Sequence, residues 1–392
     1  MIYLDWAATT PLSHEAYDAM SELLVPGFEG LEKGNANANS LYDCGRNAFK
    51  ALEEARVKVA SCLDARGHEV YFTSGATESD NAAILGIVAG LLSAQKKKTT
   101  TDTYRVVISA IEHDAVLKTE RVLKQQGIEV VKVYPNRAGH IEVEALRNAL
   151  NDNTLLVSIM AVNNEIGSVM DIKSLAEVAH KKGALFHTDA TQAFGKIPFS
   201  VKEWGVDALS VSSHKVGGPK GVGALYIKAR TPFKPLLVGG GQELGMRSGT
   251  QNVPGIVGFA AAANHSVEVL ESQADRLRNL RDYCYKELTS IKGVVPTVEV
   301  EKGSEKYAPH VVNVMVKGYE SETLILRLSS KGVCVSGGSA CSTGSLDPSH
   351  VLSALGIQKN LALGSIRVSM GELTTKDDID TFLSLFKEAV SY

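Results

Sequence analysis

From about residue 45 the chain alternates between short strand-like stretches and segments whose apolar residues recur at helical spacing. The strand candidates are residues 69–73, 105–110, 129–133, 154–160, 184–188, 208–212 and 223–227. Helical patterns at 46–63, from 78 onward, and at 115–126, 142–150 and 172–182 fill most of the gaps. Strands joined by crossover helices imply a mainly parallel sheet covered on both faces. The expectation is an α/β protein whose large domain, residues 15–258, carries a seven-stranded, mainly parallel sheet flanked by helices. The pattern changes after Pro254, where one long helix rich in Arg, Asp and Glu is expected over about 255–288, opening with proline at a helix start. That helix would lead into a smaller α+β domain made of residues 1–14 and 259–392, with its clearest strands at 311–316 and 365–369.

Composition narrows the class of partner. Lys plus Arg number 41 and Asp plus Glu 44, for a net charge of −3. Such a balance argues against direct nucleic-acid binding and against an anionic membrane surface, both of which call for a basic excess. The longest purely apolar run, Ala82 to Leu92, falls well short of the ~20 residues that cross a bilayer. The opening MIYLDWAATT has Asp5 and no basic residue ahead of an apolar stretch, so no export signal is expected. Five cysteines, at 44, 62, 284, 334 and 341, match neither a disulfide framework nor a zinc pattern. A reducing, cytoplasmic setting is the expectation. The polar stretch 93–103 reads as a solvated surface loop with no function attached to its lysines.

Four local signals fall where an α/β sheet presents its ligand site, at the carboxyl ends of strands. In FTSGATESDN (72–81) a strand ends, Ser74 and Gly75 turn the chain, and a helix begins near Ala76 or Thr77, a start that suits a phosphate. Thr77 with Asp80 three residues on also resembles an ordinary capping pair. In FHTDATQ (186–192), Asp189 could pair with a protonated ring nitrogen and Gln192 could donate to a nearby oxygen, although a loop-capping Asp has the same look. In SVSSHKVGGPKGVGALY (210–226), Lys215 ends a strand beside His214 and ahead of four glycines, a setting for an imine-forming lysine. In VCVSGGSACSTGSLDPSH (333–350), Cys334 fits a buried apolar role, whereas the Gly/Ser surroundings of Cys341 predict an exposed, mobile and reactive thiol. An imine-forming lysine, a carboxylate partner and a phosphate site are the parts a protein supplies to pyridoxal phosphate (PLP).

With these motifs in view, the sequence resembles the cysteine desulfurases, PLP enzymes of fold type I in the class-V aminotransferase group. The resemblance runs over nearly the whole chain, through YLDWAATTP, YFTSGATESDN, AIEHDAVL, VNNEIG, HTDATQAFGK, SSHKVGGPKGVGALY, GGGQELGMRSGTQNV, GSACSTGSLDPSHVL and SIRVSMGELTTKDDID. It implies that Lys215 binds the cofactor covalently and moves protons, that Asp189 holds the pyridinium nitrogen protonated, and that Gln192 bonds the ring hydroxyl oxygen. It further implies that His113 stacks on the ring and acts in proton transfer, and that Ala76, Thr77, Ser212 and His214 bind the phosphate. Thr250 matches a residue that reaches the phosphate across a subunit boundary, which implies a homodimer. Asn164 and Arg367 match the groups that grip the substrate carboxylate.

The implied reaction takes sulfur from L-cysteine, leaving L-alanine and a persulfide on Cys341. The Gly/Ser segment kept between Cys341 and Arg367 resembles the subgroup with a long mobile cysteine loop, which passes sulfur to an acceptor protein such as an iron–sulfur scaffold or a thiolation enzyme. The stretch GNANANSLYDCGR (34–46) departs from the family's usual Pro- and His-containing version. A selenocysteine lyase or related PLP β-lyase of the same fold is the second expectation, and a PLP-binding regulator without turnover the third.

Overall fold

The protein was analysed as a computed structural model, which describes residues 1–94, 103–338 and 348–391; most of the polar stretch at 93–103, and Cys341, lie outside the described residues. Strand β1 (Ile2–Tyr3) opens the chain. One sheet is then built from β2 (Val70–Thr73), β3 (Arg105–Ser109), β4 (Glu129–Val133), β5 (Thr154–Ser158), β6 (Leu185–Asp189), β7 (Ala208–Ser212) and β8 (Gly223–Ile227). Their order is β2-β8-β7-β6-β5-β3-β4, and all pairs are parallel except the two made by β8. The seven-stranded, mainly parallel α/β sheet is therefore present as expected. Strands β5, β7 and β8 are buried at every position, as a sheet covered on both faces requires. The period of two shows in β3, where Val106 and Ile108 join one core with Ile84, Ile87 and Leu123. Val107 between them joins the opposite core with Leu175 and Phe186.

Parallel direction places the ends of β5, β6 and β7 on one edge of the sheet. The reversed β8 starts at that same edge, because Gly223 pairs with both Thr73 and Ser212. A Cβ on Gly223 would lie 2.7 Å from the Gly75 Cα and 2.8 Å from the Val211 carbonyl oxygen. The turn at Gly75 therefore rests directly on β8.

Beyond the large sheet come β9 (Val294–Pro296), β10 (Val311–Val316), β11 (Val333–Cys334) and β12 (Ser365–Ser369). Strand β10 lies between β9 and β12, antiparallel to both, and β11 pairs in parallel with β1. Leu4 packs in the core of this region with Val312, Val314, Ile366, Phe382 and Phe386. The N-terminal segment is thus stitched into the C-terminal part of the chain.

The single long helix expected over 255–288 is instead two, Val253–Glu268 and Leu270–Thr289, meeting at an angle of 69°. Val269 at the joint has φ −92° and ψ 0°. The two halves serve different cores: Phe259, Ala260 and Ala263 of the first pack in the core of the large sheet, while Leu277, Cys284 and Leu288 of the second pack with Leu4 and β10. Residues so different in patterning cannot lie on one straight axis and bury both faces.

A buried ion pair ties the segment after β8 to the sheet. Arg56, on the helix Asp43–Cys62, donates to Glu243 through Nη1 at 2.5 Å and Nη2 at 3.0 Å, and both residues are buried. Glu243 also accepts the Phe72 N–H at 2.8 Å. Glu243 and Leu244 have φ of 48° and 55°, a left-handed conformation that costs non-glycine residues about 1–3 kcal/mol each. Glu243→Ala removes the buried two-point partner of Arg56, leaving it only Glu53 at 2.9 Å on Nε and the Val70 carbonyl at 2.9 Å on Nη1, and is expected to destabilise the fold by about 2–3 kcal/mol in denaturant titration. A loss below about 1 kcal/mol would show that the pair does not anchor this segment.

Candidate active site

A cavity of about 580 Å³ opens at the carboxyl edge of the large sheet. Ala76, Thr77, His113, Asn164, Asp189, Gln192, Ser212, His214, Lys215 and Arg367 all line it. These residues span almost 300 positions of sequence, and the strand ends of the large sheet together with β12 of the smaller sheet bring them to one place. Thr250 is exposed and is not among the residues lining this cavity. Cys341 lies outside the described residues.

At one end the chain leaves β2, turns at Gly75 and enters the helix Ala76–Asn81, which continues through a π-turn at Ala82–Gly86 into Ile87–Ala94. Gly75 is the N-cap, with φ 153°, and no side chain caps the helix. The capping pair suggested by Thr77 and Asp80 does not form, since Asp80 is fully buried beneath the helix start. The first-turn N–H groups therefore have no partner within the helix, and the dipole favours an anion in front of them. The Ser212 hydroxyl lies 3.9 Å from where a Gly75 Cβ would stand. His214 bonds Thr9 Oγ1 at 3.1 Å, and burial first, then the Lys215 cation, push its imidazole down to about 4. It meets an anion as a neutral ring.

Across the cavity, Asp189 ends β6 and its Oδ1 accepts the Thr191 N–H at 2.8 Å. Two buried acids stand behind it. Burial, then the proximity of Asp189, pushes the Asp80 carboxyl well above the ordinary carboxylate range. Burial pushes Glu112 up to about 8, despite its accepting the Ser109 hydroxyl at 2.5 Å and the Met160 N–H at 2.7 Å. His187 sits between Ser158 at 2.8 Å and Ser210 at 3.0 Å, and burial lowers it to about 3.

Lys215 ends a short turn after β7, and its Nζ donates to the carbonyls of Ala7 and Ala8, each at 2.6 Å. Gln192 Nε2 donates to the same Ala7 carbonyl at 2.8 Å. His113 Nδ1 accepts the Ala115 N–H at 3.1 Å, which leaves Nε2 as the hydrogen-bearing nitrogen. Arg367, on β12 and buried, donates through Nη1 to the Asn164 carbonyl at 2.8 Å and through Nη2 to Asp5 at 2.9 Å. Its Nε is buried without a partner. An acceptor is therefore wanted at that guanidinium, as a carboxylate would supply. The carbonyls of Ala7 and Ala8, unlike the side chains of this cavity, are not readable from the sequence, because a main-chain acceptor leaves no mark on residue type.

A helix start open to an anion, a carboxyl group, a lysine amine and a guanidinium around one cavity are the parts an α/β protein supplies to PLP, and they define the class as a PLP-dependent enzyme. The aminotransferase class-V family model matches residues 2–382. The cysteine desulfurase IscS of Dictyoglomus turgidum is 40% identical over 389 residues, covering 99% of this chain and 94% of that protein. The IscS of Methanosarcina thermophila is also 40% identical, covering 99% and 92%. Among solved structures, a NifS-like protein superposes with a TM-score of 0.88 at 34% identity, covering 100% of this chain and 99% of the other. SspA in complex with cysteine superposes at 0.79 with 31% identity, covering 94% and 99%. The chain belongs to the class-V aminotransferase family and, within it, to the cysteine desulfurases. The unpartnered helix start beside Ser212 and the Asp189 carboxyl across from it fit the two ends of PLP, the family's cofactor.

The buried acid Glu112 gives the site a measurable pH signature. It ionises near 4.5 when unfolded and near 8 in the fold, so between those values the native state keeps a proton that the unfolded chain has lost. Its contribution to stability falls as pH rises through that window, by up to about 1.4 kcal/mol per pH unit. Glu112→Gln is expected to gain on the parent protein in thermal midpoint between pH 5 and pH 8. Parallel pH profiles for the two proteins would show that Glu112 does not titrate in this way.

Proposed function

We propose that this cysteine desulfurase holds PLP through Lys215, takes sulfur from L-cysteine onto Cys341, and releases L-alanine. The carbon–sulfur bond of the substrate breaks and a sulfur–sulfur bond forms on the Cys341 side chain. The observation that carries the reading is the convergence of Lys215, Asp189, Arg367 and the Gly75–Thr77 helix start on one cavity. When bound, PLP supplies an electron sink for negative charge at the substrate α-carbon.

The chain's own groups do the rest. The N–H groups at Ala76 and Thr77, with Ser212 and neutral His214, hold the phosphate. Asp189 accepts the ring N–H and Gln192 donates to the ring oxygen. Arg367 and Asn164 grip the substrate carboxylate, with the unpartnered Nε of Arg367 as a directed donor. Lys215 shuttles the α-proton, and His113 offers a second proton-transfer group with its hydrogen on Nε2. Cys341 is the nucleophile, acting as thiolate.

The working unit is a homodimer in which Thr250 reaches the partner's phosphate. Support comes from the exposure of Thr250 and from exposed apolar side chains, including Phe28, Leu41, Tyr42 and Val238, that a free surface would hold at a cost. Leu41 and Tyr42 fall in the unusual 34–46 stretch. Likeness to proteins named IscS supports an iron–sulfur scaffold or a thiolation enzyme as sulfur acceptor. Free thiols at Cys44, Cys62, Cys284 and Cys334 favour a reducing, cytoplasmic setting.

Two variants test the assignment. Lys215→Ala is expected to lose the visible absorbance of covalently bound cofactor, and an unchanged spectrum would remove Lys215 from its role. Cys341→Ser, incubated anaerobically with L-cysteine, should still bind substrate but form no protein-bound sulfur and at least about 100-fold less alanine. Alanine formed at the parent rate would favour the lyase chemistry instead.

A further inference from the structure

We propose that Lys196 is a positioning residue that fixes which end of the Gln192 amide faces the cofactor. The proposal rests on the reading of Gln192 as a ligand of the PLP ring oxygen. Lys196 follows Gln192 by four residues in the helical turns after β6, where Phe194 donates to Ala190 and Ile197 to Ala193. That spacing puts the two side chains on one side of the turn. Lys196 Nζ donates to Gln192 Oε1 at 2.9 Å, while Gln192 Nε2 donates to the Ala7 carbonyl at 2.8 Å.

The two contacts engage opposite ends of one amide. Rotating it by half a turn would set its carbonyl against the Ala7 carbonyl, a repulsive contact in any charge state, and would take from the Lys196 N–H the oxygen it donates to. One orientation remains, and in it the second N–H of Nε2 is available to an oxygen in the cavity. The Ala7 carbonyl alone is an insecure guide, since it also accepts from Lys215, whose amine must move to do chemistry. Lys196 lines an adjoining cavity of about 230 Å³ rather than the catalytic one, so its route to the cofactor runs through Gln192. Burial, then the Lys215 and Arg367 cations, hold its amine well below the usual lysine range. Charged or neutral, an amine keeps N–H groups to donate.

The test is a double-mutant cycle on the PLP-loaded protein with Lys196→Met, Gln192→Ala and the pair, reading PLP affinity and the visible circular dichroism band. Lys196→Met is expected to weaken PLP binding about tenfold in the parent, the size of one lost hydrogen bond, and by less than about twofold when Gln192 is already Ala. The band should move in the first background and stay fixed in the second. Equal losses in both backgrounds, or none in the parent, overturn the proposal while leaving the role of Gln192 intact. A Gln192→Ala protein with parental affinity and band would instead overturn the reading of Gln192 and this inference with it. Lys196→Leu enters the same cycle should Lys196→Met fail to fold.

Discussion

The amine of Lys215 is held by the carbonyls of Ala7 and Ala8, and their position depends on both halves of the molecule. The N-terminal segment pairs with β11 through β1, buries Leu4 in the C-terminal core and takes the Ser369 hydroxyl on the Ala7 N–H at 2.9 Å. Three residues further on, Thr10 N–H donates to the His214 carbonyl at 3.0 Å, and its hydroxyl accepts the Gly217 N–H at 2.8 Å. One short strap thus touches the chain on both sides of Lys215, at His214 and Gly217, and the strand that carries Arg367. Displacing it would disturb the lysine, the amide of Gln192 and the Asp5–Arg367 pair together.

Buried charge in this site follows a single rule. Asp80 and Glu112 are driven toward the neutral acid, and His187 and His214 toward the neutral ring, all with burial as the leading cause. Taking such groups out of water in charged form would be far more costly than shifting their titration. Asp189 differs in where it stands, lining the cavity rather than lying behind it. A cationic ring nitrogen can meet it there. Neutral acids behind Asp189 set no negative charge at its back, and Glu78, another carboxyl group lining the cavity, is taken up by Arg247 at 2.8 Å and 3.2 Å.

Much of this was legible in the sequence, for reasons that can be named. Strands such as β3 and β5 announce themselves because a sheet buried on both faces needs unbroken apolar runs, and their ends fall within two residues of the expected places. Side chains with a distinctive task, Lys215, Asp189 and Arg367 among them, sit in long motifs and do share one cavity. The bend at Val269 was not legible, since continuous helical spacing says nothing about which core each half will meet. The Thr77–Asp80 spacing suggested a cap, and the fold instead buries Asp80. Glu112 gave no signal beyond standing next to His113, because burial of a single acid is decided by packing from distant strands.

The placement of Arg367 shows why two sheets are needed for one site. The lysine, the carboxyl partner and the anion cradle all belong to the large sheet, whereas Arg367 comes from β12 of the smaller one. Its guanidinium is clamped by the Asn164 carbonyl on one side and by Asp5 on the other, so its rotamer is fixed before substrate arrives. A pre-set guanidinium loses little entropy on gripping a carboxylate, which favours orientation of the bound amino acid. In the proposed reaction that orientation would decide which substituent of the α-carbon Lys215 can reach, since each α-carbon bond then points in a fixed direction. On the reading proposed above, Arg367 would be a geometric control on the reaction as well as a source of affinity, and its clamp from Asp5 would route that control through the same N-terminal strap that holds the lysine.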